Sequence, residues 1–416
     1  MLMKLQLVAT CLFGLEKLLG EEIDALGLRR LDTMDGRVTF EGTLFDVARA
    51  NIGLRCAEHV FIKLAAFPAT TFTELFDGVK AIAWEDWIGK DDAFPVKGHA
   101  IKSKLYSVPD CQSIVKKAVV DRLGAHYGTR WFSEDKSKYQ IEFFLFKDVA
   151  NIMIDTSGIP LHKRGYRPAA GPAPLRETLA AALALTARPR EDTLFWDPMC
   201  GSGTIAIEAA MIARRIAPGL KRDFTAEDFP RIGSDIWKAA REEAAALEIK
   251  DSGFEAWASD IDEDILDVTY ENALRAGVEE NLNIFHCDAR KIEKPDGRRG
   301  TIVCNPPYGE RMGDLREIEF LYKDIGRHFK TFEPWHVYVI TSCDYFEKLY
   351  GRRADKTRKL YNGMLPCTLY QFFKPAEFRD DKPFDKKRFD GKRSGGDRPF
   401  DKTKDFHKNP NKKFSK

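Results

Sequence analysis

The sequence predicts an α/β protein in which a mostly parallel sheet ends in an antiparallel hairpin, preceded by two smaller α+β units. Two observations predict the sheet. Between residues 191 and 375, short apolar runs typical of strands alternate with amphipathic stretches typical of helices, the pattern of βα units. The last two strand-like runs, Arg358–Tyr361 and Leu365–Phe373, flank Asn362-Gly363, a strong hairpin signal.

Length and composition place the chain among globular proteins of two or three domains. It has 416 residues, of which 44% are hydrophobic and 31% charged, so a sizeable core is available. No apolar run is long enough to cross a membrane. The eight cysteines form no CxxC pair and no Cys/His cluster, which predicts no metal site and a reducing, cytoplasmic location.

Positive charge is concentrated at the carboxyl end. Residues 376–416 hold 14 Lys and Arg against 8 Asp and Glu, while the whole chain has a net charge of only +2. This segment repeats basic Pro-Phe-Asp-Lys blocks and is poor in apolar residues, which predicts disorder. Its Phe and Lys/Arg side chains suit RNA through charge and stacking, and a purely solubilising tail is an equal alternative.

The first 160 residues are predicted to form two α+β units, 1–60 and 61–160. In the first, a strand and a helix precede a hairpin that turns at Asp35-Gly36, and a second helix follows. In the second, a helix is predicted to begin at Asp110 as its N-cap. The predicted segments are Lys4–Ala9, Phe13–Ala25, Leu31–Asp32, Arg37–Phe40, 44–56, His59–Ala66, Phe72–Ile82, His99–Leu105, Tyr139–Phe146 and Ala150–Asp155.

Polar and basic residues around the predicted start of that helix are candidates for RNA contact. Backbone N–H groups at a helix start, flanked by Lys and Ser side chains, suit phosphate groups. A solvated surface is the alternative. The candidates are Lys102, Ser103, Lys104, Ser113, Lys116 and Lys117. For His162, Lys163 and Arg164, in the following linker, the alternatives are an exposed basic linker and a strip beside the RNA.

Residues 161–375 place acidic and glycine-rich motifs after successive predicted strands. The strand Thr193–Trp196 leads into the run Asp197-Pro198-Met199-Cys200-Gly201-Ser202-Gly203-Thr204, and a helix follows. Strands Phe254–Ser259 and Leu282–His286 lead into Asp260-Ile261 and Asp288-Ala289. Asp260 suits the hydroxyls of a ribose, and Asp288 suits an adenine amino group. Ligands of open α/β sheets bind at the carboxyl ends of the strands.

The glycine run also fits a dinucleotide fingerprint, but its context does not. A nicotinamide site expects an acidic residue about 20 positions on. Asp260 follows Gly203 by 57 residues, with a second predicted helix, Ile236–Ile249, in between. No Walker A lysine follows the glycines, so a P-loop is excluded.

The run Asn305-Pro306-Pro307-Tyr308 follows the strand Thr301–Cys304 and forms a rigid polar clamp. The prolines restrict the backbone, so the Asn305 amide oxygen and the Pro306 carbonyl are held as two fixed acceptors. These acceptors suit the two N–H bonds of an exocyclic amine, and Tyr308 can stack on the ring that carries it. The clamp alone does not distinguish adenine, guanine, cytosine or glutamine amines.

Two resemblances combine these observations. Phe94–Ala100, Ser103–Leu105 and Cys111–Lys117 resemble a THUMP domain, an RNA-binding module that usually follows a ferredoxin-like unit. The strand-end motifs resemble the Rossmann-like class I methyltransferases that use S-adenosylmethionine. That resemblance implies cofactor contacts at Asp197, Pro198, Cys200, Gly201, Gly203, Thr204, Asp260, Ile261, Asp288, Ala289 and Asn305, and catalysis by Asn305, Pro306, Pro307 and Tyr308.

The chain resembles most closely the bacterial large-subunit rRNA guanine-N2 methyltransferases, meaning the amino-terminal half of RlmL and its stand-alone relatives. Phe195–Ala210 and Pro174–Glu177 carry that likeness. It implies methylation of a guanosine in 23S rRNA, with large-subunit rRNA as the partner. The alternatives are N6-adenine methylation of DNA or RNA, and a non-catalytic RNA-binding factor in ribosome assembly. The resemblance implies a methyltransferase domain over residues 161–375.

Overall fold

The computed structural model describes residues 4–168, 175–308 and 314–374. The predicted tail at 376–416 and part of the predicted linker lie outside these ranges. Within them the chain forms two seven-stranded sheets with helices packed against them. No helix in the described ranges combines the length and apolarity needed to cross a membrane.

The amino-terminal sheet joins both small units into one continuous sheet. Its strand order is β2-β3-β1-β4-β7-β6-β5. The long strand β4 pairs antiparallel with β1 on one side and β7 on the other, and the predicted boundary at residue 60 lies inside it. The strands are β1 Leu5–Cys11, β2 Arg29–Met34, β3 Arg37–Gly42, β4 Ala57–Pro68, β5 Val96–Ile101, β6 Ile141–Phe146 and β7 Val149–Asp155, and the helices are α1 Glu16–Ala25, α2 Leu44–Gly53, α3 Phe72–Lys80 and α4 Val108–Tyr127.

The carboxyl-terminal sheet has the order β10-β9-β8-β11-β12-β14-β13, and its fold class is the one that the sequence predicts. The first five strands in this order are parallel, and β14 pairs antiparallel with β12 and β13. The strands are β8 Leu194–Asp197, β9 Ala256–Asp260, β10 Leu282–His286, β11 Gly300–Cys304, β12 His336–Thr341, β13 Lys356–Asn362 and β14 Leu365–Phe372, and the helices are α5 Glu177–Ala187, α6 Thr204–Ala213, α7 Ser234–Ala246, α8 Asp264–Ala276, α9 Asp314–Phe329 and α10 Phe346–Tyr350.

The predicted hairpins are confirmed, with glycine where a left-handed backbone is needed. Gly36 and Gly363 have φ of +74° and +63° in the β2–β3 and β13–β14 turns. The Lys147-Asp148 turn joins β6 to β7, with both residues at positive φ (+50° and +63°). Two consecutive residues at positive φ are typical of the primed turns, whose backbone suits the twist of paired strands.

Two local predictions were wrong, and one short helix was missed. Helix α4 begins at Val108 with Ser107 as its N-cap, so Asp110 lies in the first turn and is not the N-cap. The reason is Pro109, whose fixed φ favours a position in the first helical turn. The predicted strand His99–Leu105 ends at Ile101, because Lys102 adopts a φ of +51°. Helix α10 was missed: at five residues it is too short for a periodic signal.

Candidate active site

Four neighbouring strands bring the predicted motifs to one edge of the carboxyl-terminal sheet. Because β10, β9, β8 and β11 are adjacent and parallel, their carboxyl ends lie side by side. The residues at or just after these ends, in the same order, are Asp288, Asp260, the glycine run and Asn305. Strands are about 4.8 Å apart, so the row from Asp288 to Asn305 spans about 14 Å. That length matches an extended nucleoside carrying an amino-acid chain.

The glycine run forms a tight turn between β8 and α6. Asp197, at the end of β8, is buried and accepts a hydrogen bond from the Met199 N–H at 3.3 Å. Burial raises the pKa of Asp197 well above its ordinary value, and the neighbouring Asp260 carboxylate raises it further. Pro198 is buried beside it, and the Cys200 N–H donates to the Ser259 carbonyl at 3.0 Å. The turn is therefore anchored to both β8 and β9.

The two glycines of the turn face different surroundings. Gly201 has a φ of +49°, and a Cβ there would meet no atom within 4 Å, so this backbone borders open space. Gly203 has a φ of +78°, and a Cβ there would lie 2.6 Å from Cγ2 of Thr269. Glycine at 201 leaves room beside the turn, and glycine at 203 lets α8 approach it.

Helix α8 holds the turn through residues that sequence reasoning missed. The Thr269 hydroxyl donates to the Gly201 carbonyl at 2.6 Å, and the Asn272 amide donates to the Ser202 carbonyl at 3.0 Å. Both side chains are buried. A signal for them exists, since two polar residues three positions apart on the inner face of an amphipathic helix need partners.

Asp260 links the turn to the end of β9. One carboxylate oxygen accepts from the Gly201 N–H at 2.8 Å, and the other accepts from the Asp262 N–H at 3.1 Å. A carboxylate has about four acceptor positions, so each oxygen keeps capacity for a further donor such as a ribose hydroxyl. Ile261 is exposed beside it, and its carbonyl lies 3.0 Å from Nε2 of His286.

Asp288 lies at the end of the row and is bound by Arg290. The Arg290 guanidinium donates Nε to Oδ1 at 2.9 Å and Nη2 to Oδ2 at 2.6 Å, and its backbone N–H donates to Oδ1 at 2.9 Å. These bonds hold the pKa of Asp288 below its ordinary value. Asp288 and Arg290 line a cavity of about 580 Å³. Ala289 is buried next to them.

The clamp is connected internally. The Tyr308 hydroxyl donates to Oδ1 of Asn305, and the buried Tyr322 hydroxyl donates to the Pro307 carbonyl at 2.9 Å. Burial raises the pKa of Tyr308, which keeps the hydroxyl protonated as a donor. An amide oxygen has two lone pairs, so Asn305 retains one for a second donor. The Pro306 carbonyl accepts no hydrogen bond from the described residues.

The linker before α5 contacts the glycine run from the other side. Arg167 donates to the Thr204 hydroxyl at 3.0 Å and pairs with Glu177, and this ion pair is buried. Arg164 is buried against Glu208 of α6 at 3.1 Å, so both predicted alternatives for it, an exposed linker and an RNA strip, were wrong. A buried arginine needs a buried acid, and Glu208 lies 44 positions away in the sequence.

The candidate RNA residues differ in exposure and in the partners of their side chains. Lys102, Lys104 and Lys117 are exposed. The Lys116 ammonium points inward, 2.5 Å from the Glu134 carboxylate and 3.1 Å from the Phe94 carbonyl, and its burial lowers its pKa. The Ser103 hydroxyl donates to the Ile101 carbonyl at 3.1 Å, and the Ser113 hydroxyl donates to the Pro109 carbonyl at 3.0 Å.

Fold and site together define a class I methyltransferase. Comparison with protein families agrees along the chain: residues 164–371 match the RMKL-like methyltransferase domain, residues 6–61 the RlmL ferredoxin-like domain, and residues 69–155 the THUMP domain. The chain therefore belongs to the family of RMKL-like methyltransferases.

Two curated relatives differ in length. The Bacillus subtilis (strain 168) protein named "Putative RNA methyltransferase YpsC" is 43% identical over 373 residues, which cover 89% of this chain and 96% of that protein. The "Ribosomal RNA large subunit methyltransferase K/L" of Psychromonas ingrahamii is 35% identical over 367 residues, 86% of this chain and 49% of that one. The chain thus spans about half the length of the K/L proteins it matches.

Solved structures share the whole described fold. The protein described as "SMU.472, a putative methyltransferase complexed with SAH" is 38% identical, with a TM-score of 0.84, and its structure covers 90% of this chain and 99% of that one. A Listeria monocytogenes protein described as "a predicted N6-adenine-specific DNA methylase" is 43% identical, with a TM-score of 0.85, and its structure covers 90% of this chain and 97% of that one.

Proposed function

We propose that this chain transfers a methyl group from S-adenosylmethionine to the N2 amine of a guanosine in large-subunit rRNA. One observation carries the proposal: Asp288, Asp260, the glycine run and the Asn305 clamp form a single row of about 14 Å along adjacent strand ends. The names of the relatives YpsC and methyltransferase K/L support RNA, and the THUMP match supports it independently. We place the reaction in the cytoplasm, where the reduced cysteines and an rRNA substrate fit.

The residues along the row fit this cofactor. Asp288 would face the adenine, Asp260 the ribose hydroxyls, and Gly201 with Gly203 the methionine part. The open space at Gly201 and the remaining acceptor capacity of Asp260 are the structural observations that fit. The buried Asp197, Pro198 and Cys200 would hold the turn in place, and Ile261 and Ala289 would border the nucleoside. The cofactor supplies a transferable methyl group on a sulfonium.

The clamp would position the base. The free lone pair of Asn305 Oδ1 and the Pro306 carbonyl would accept the two N–H bonds of the amine, which orients the nitrogen lone pair toward the methyl group. Tyr308 fixes the amide plane of Asn305 through its hydroxyl, while Pro307 restricts the backbone. The new N–C bond forms as the methyl–sulfur bond breaks, and the amine then loses a proton to solvent. No strong base in the clamp is needed.

The base must leave its stack to reach this edge, because a paired amine cannot enter the clamp. The amino-terminal sheet would bind the folded RNA around it, largely by shape and phosphate contacts. Lys102, Lys104 and Lys117 are the exposed candidates for those contacts, with Ser103, Ser113 and Lys116 nearby in the sequence.

The decisive experiment is methyl incorporation. The chain is incubated with labelled S-adenosylmethionine and with 23S rRNA that lacks its modifications, and the digested nucleosides are analysed by mass spectrometry. Label in N2-methylguanosine is the expected result, and the Asn305→Ala variant is the matched control. Label in N6-methyladenosine would overturn the base assignment.

One alternative has a specific observation behind it, the likeness to the Listeria monocytogenes protein whose name specifies adenine in DNA. A parallel incubation with duplex DNA tests it, and N6-methyladenine in that DNA would favour it. RNA binding without label in either substrate, with the cofactor bound, would favour the non-catalytic assembly factor.

A further inference from the structure

A cavity within the described residues lies at the sheet edge opposite the clamp. It has a volume of about 750 Å³ and is lined by residues at the amino ends of β8, β11 and β12, together with parts of β13, β14 and helix α1. We call it the amino-edge groove. Strand β11 has five residues, so the groove lies about 16 Å from Asn305 at about 3.3 Å per residue.

Cations from four separate segments converge on this groove. They come from α1, from the connection between α5 and β8, from the connection between β10 and β11, and from β13. The residues are Lys17, Arg188, Arg190, Arg298, Arg299, Lys356 and Arg358, and the acidic Glu21 also lines the groove. Because they are far apart in the sequence, only the folded chain brings them together.

Five of these cations take no part in holding the fold. Lys17 pairs with Glu21 at 3.6 Å and Arg298 pairs with Glu255 at 2.8 Å, but none of the other five has a side-chain hydrogen bond or ion pair within residues 4–168, 175–308 and 314–374. Structural arginines elsewhere in this domain behave differently. Arg214 donates to the Gly277 carbonyl at 2.6 Å and pairs with Glu248, and Arg352 pairs with Asp355. A set of unpaired like charges in one concavity indicates an anionic ligand.

We infer that the amino-edge groove binds backbone phosphates of the RNA substrate, as a second contact remote from the clamp. The inference rests on the proposed function for the identity of the RNA. Helix α1 closes one side of the groove, so a strand lying there would touch both the RlmL ferredoxin-like segment and the methyltransferase sheet. A separation of about 16 Å is short enough for one RNA to reach both sites.

The charge of the following sequence favours an anionic polymer over a cationic protein segment. Phe373 lines the groove, and residues 376–416, which come next in the chain, hold 14 Lys and Arg against 8 Asp and Glu. Such a tail would repel a cationic partner and attract a polyanion.

The test compares two double variants of the full chain in RNA binding. The groove variant is Arg299→Gln with Lys356→Gln, and the control is Arg215→Gln with Lys238→Gln. All four side chains are exposed and have no ion pair in the described ranges, so folding should be unaffected, and thermal unfolding checks this. Affinity for unmodified 23S rRNA is measured as salt is varied.

Each phosphate contact contributes about 0.7–0.9 to the slope of log affinity against log salt concentration. The groove variant should therefore lose about 1.4–1.8 of that slope, while the control keeps the slope of the parent chain. Equal slopes for the parent and the groove variant would overturn the inference and leave the groove to a protein or small-anion ligand. Equal losses in both variants would overturn it too, since the effect would then be general charge.

Methyl transfer separates this inference from the proposed function. With RNA saturating, the groove variant should transfer methyl groups at the parent rate, because the groove is remote from the clamp. If the parent chain binds the RNA and transfers nothing, the proposed function fails, and the difference in salt slopes still decides the groove.

Discussion

The contact between Gly203 and Thr269 gives the sharpest test of the glycine turn. In Gly203→Ala, the alanine would have to adopt a backbone φ of +78°, and its Cβ would lie 2.6 Å from Cγ2 of Thr269. The left-handed backbone costs about 1–2 kcal/mol for a residue with a side chain. Overpacking of a buried contact costs about 1–3 kcal/mol. We expect the free energy of unfolding to fall by about 2–5 kcal/mol.

A second substitution separates the two costs. Thr269→Ser removes Cγ2 but keeps the hydroxyl that donates to the Gly201 carbonyl. Alone it should cost about 1 kcal/mol for one buried methyl group. In the Thr269→Ser background, Gly203→Ala should be destabilised only by the left-handed backbone. The double-mutant cycle should therefore give a favourable coupling of about 1–3 kcal/mol. Gly201→Ala is the control, since it has a positive φ and no atom within 4 Å, and should cost about 1–2 kcal/mol.

The assay is urea unfolding of the full chain, followed by fluorescence and circular dichroism, with coincident transitions required before free energies are compared. Calorimetric binding of S-adenosylhomocysteine gives a second readout at the same turn. Absence of coupling between positions 203 and 269 would refute the packing argument. A Gly203→Ala variant no worse than Gly201→Ala would refute it as well.

Three further predictions address the clamp, the RNA face and pH. Asn305→Ala should abolish methyl transfer yet bind S-adenosylhomocysteine within a few-fold of the parent chain, and normal turnover would contradict the role of the clamp. Lys117→Gln should weaken RNA binding without changing stability. Lys116→Gln should instead lower the free energy of unfolding by about 0.5–1 kcal/mol, because it leaves Glu134 without its cation. The reverse pattern in RNA-binding and urea-unfolding measurements would be inconsistent with the observed contacts. Burial and, to a smaller extent, the nearby Asp155 carboxylate raise the pKa of Glu142 from 4.5 to about 7. Between pH 4.5 and pH 7 the folded state therefore binds more protons than the unfolded state, and the free energy of unfolding falls as the pH rises. Glu142→Gln should remove this fall, and the variant should be more stable than the parent chain at pH 8 by up to about 3 kcal/mol. Parallel curves of stability against pH for the variant and the parent chain would contradict this prediction.

Much of the candidate site follows from local sequence. Asp197, Asp260, Asp288 and Asn305 each follow a short apolar run, and the carboxyl ends of parallel strands share one edge. The glycine turn and the Asn362-Gly363 hairpin depend on backbone preferences that neighbouring residues set. The wrong predictions for the start of α4 and the end of β5 are also local in origin, because Pro109 and the positive φ of Lys102 each affect only the residues beside them.

Tertiary structure alone decided where the long cationic side chains go. Arg164 and Lys116 lie in basic stretches that indicate exposure. Arg164 is instead buried because Glu208, distant in the sequence, compensates the cost of burying its charge. Lys116 is half-buried and pairs with Glu134. The amino-edge groove is the opposite case: Lys17, Arg299 and Lys356 look unrelated along the chain and line one cavity in the fold. Local sequence indicates where each strand ends and which residue follows it, because a strand-forming run and its turn residues are neighbours in the chain. The partner that a charged side chain finds depends on packing between segments that lie far apart in the sequence.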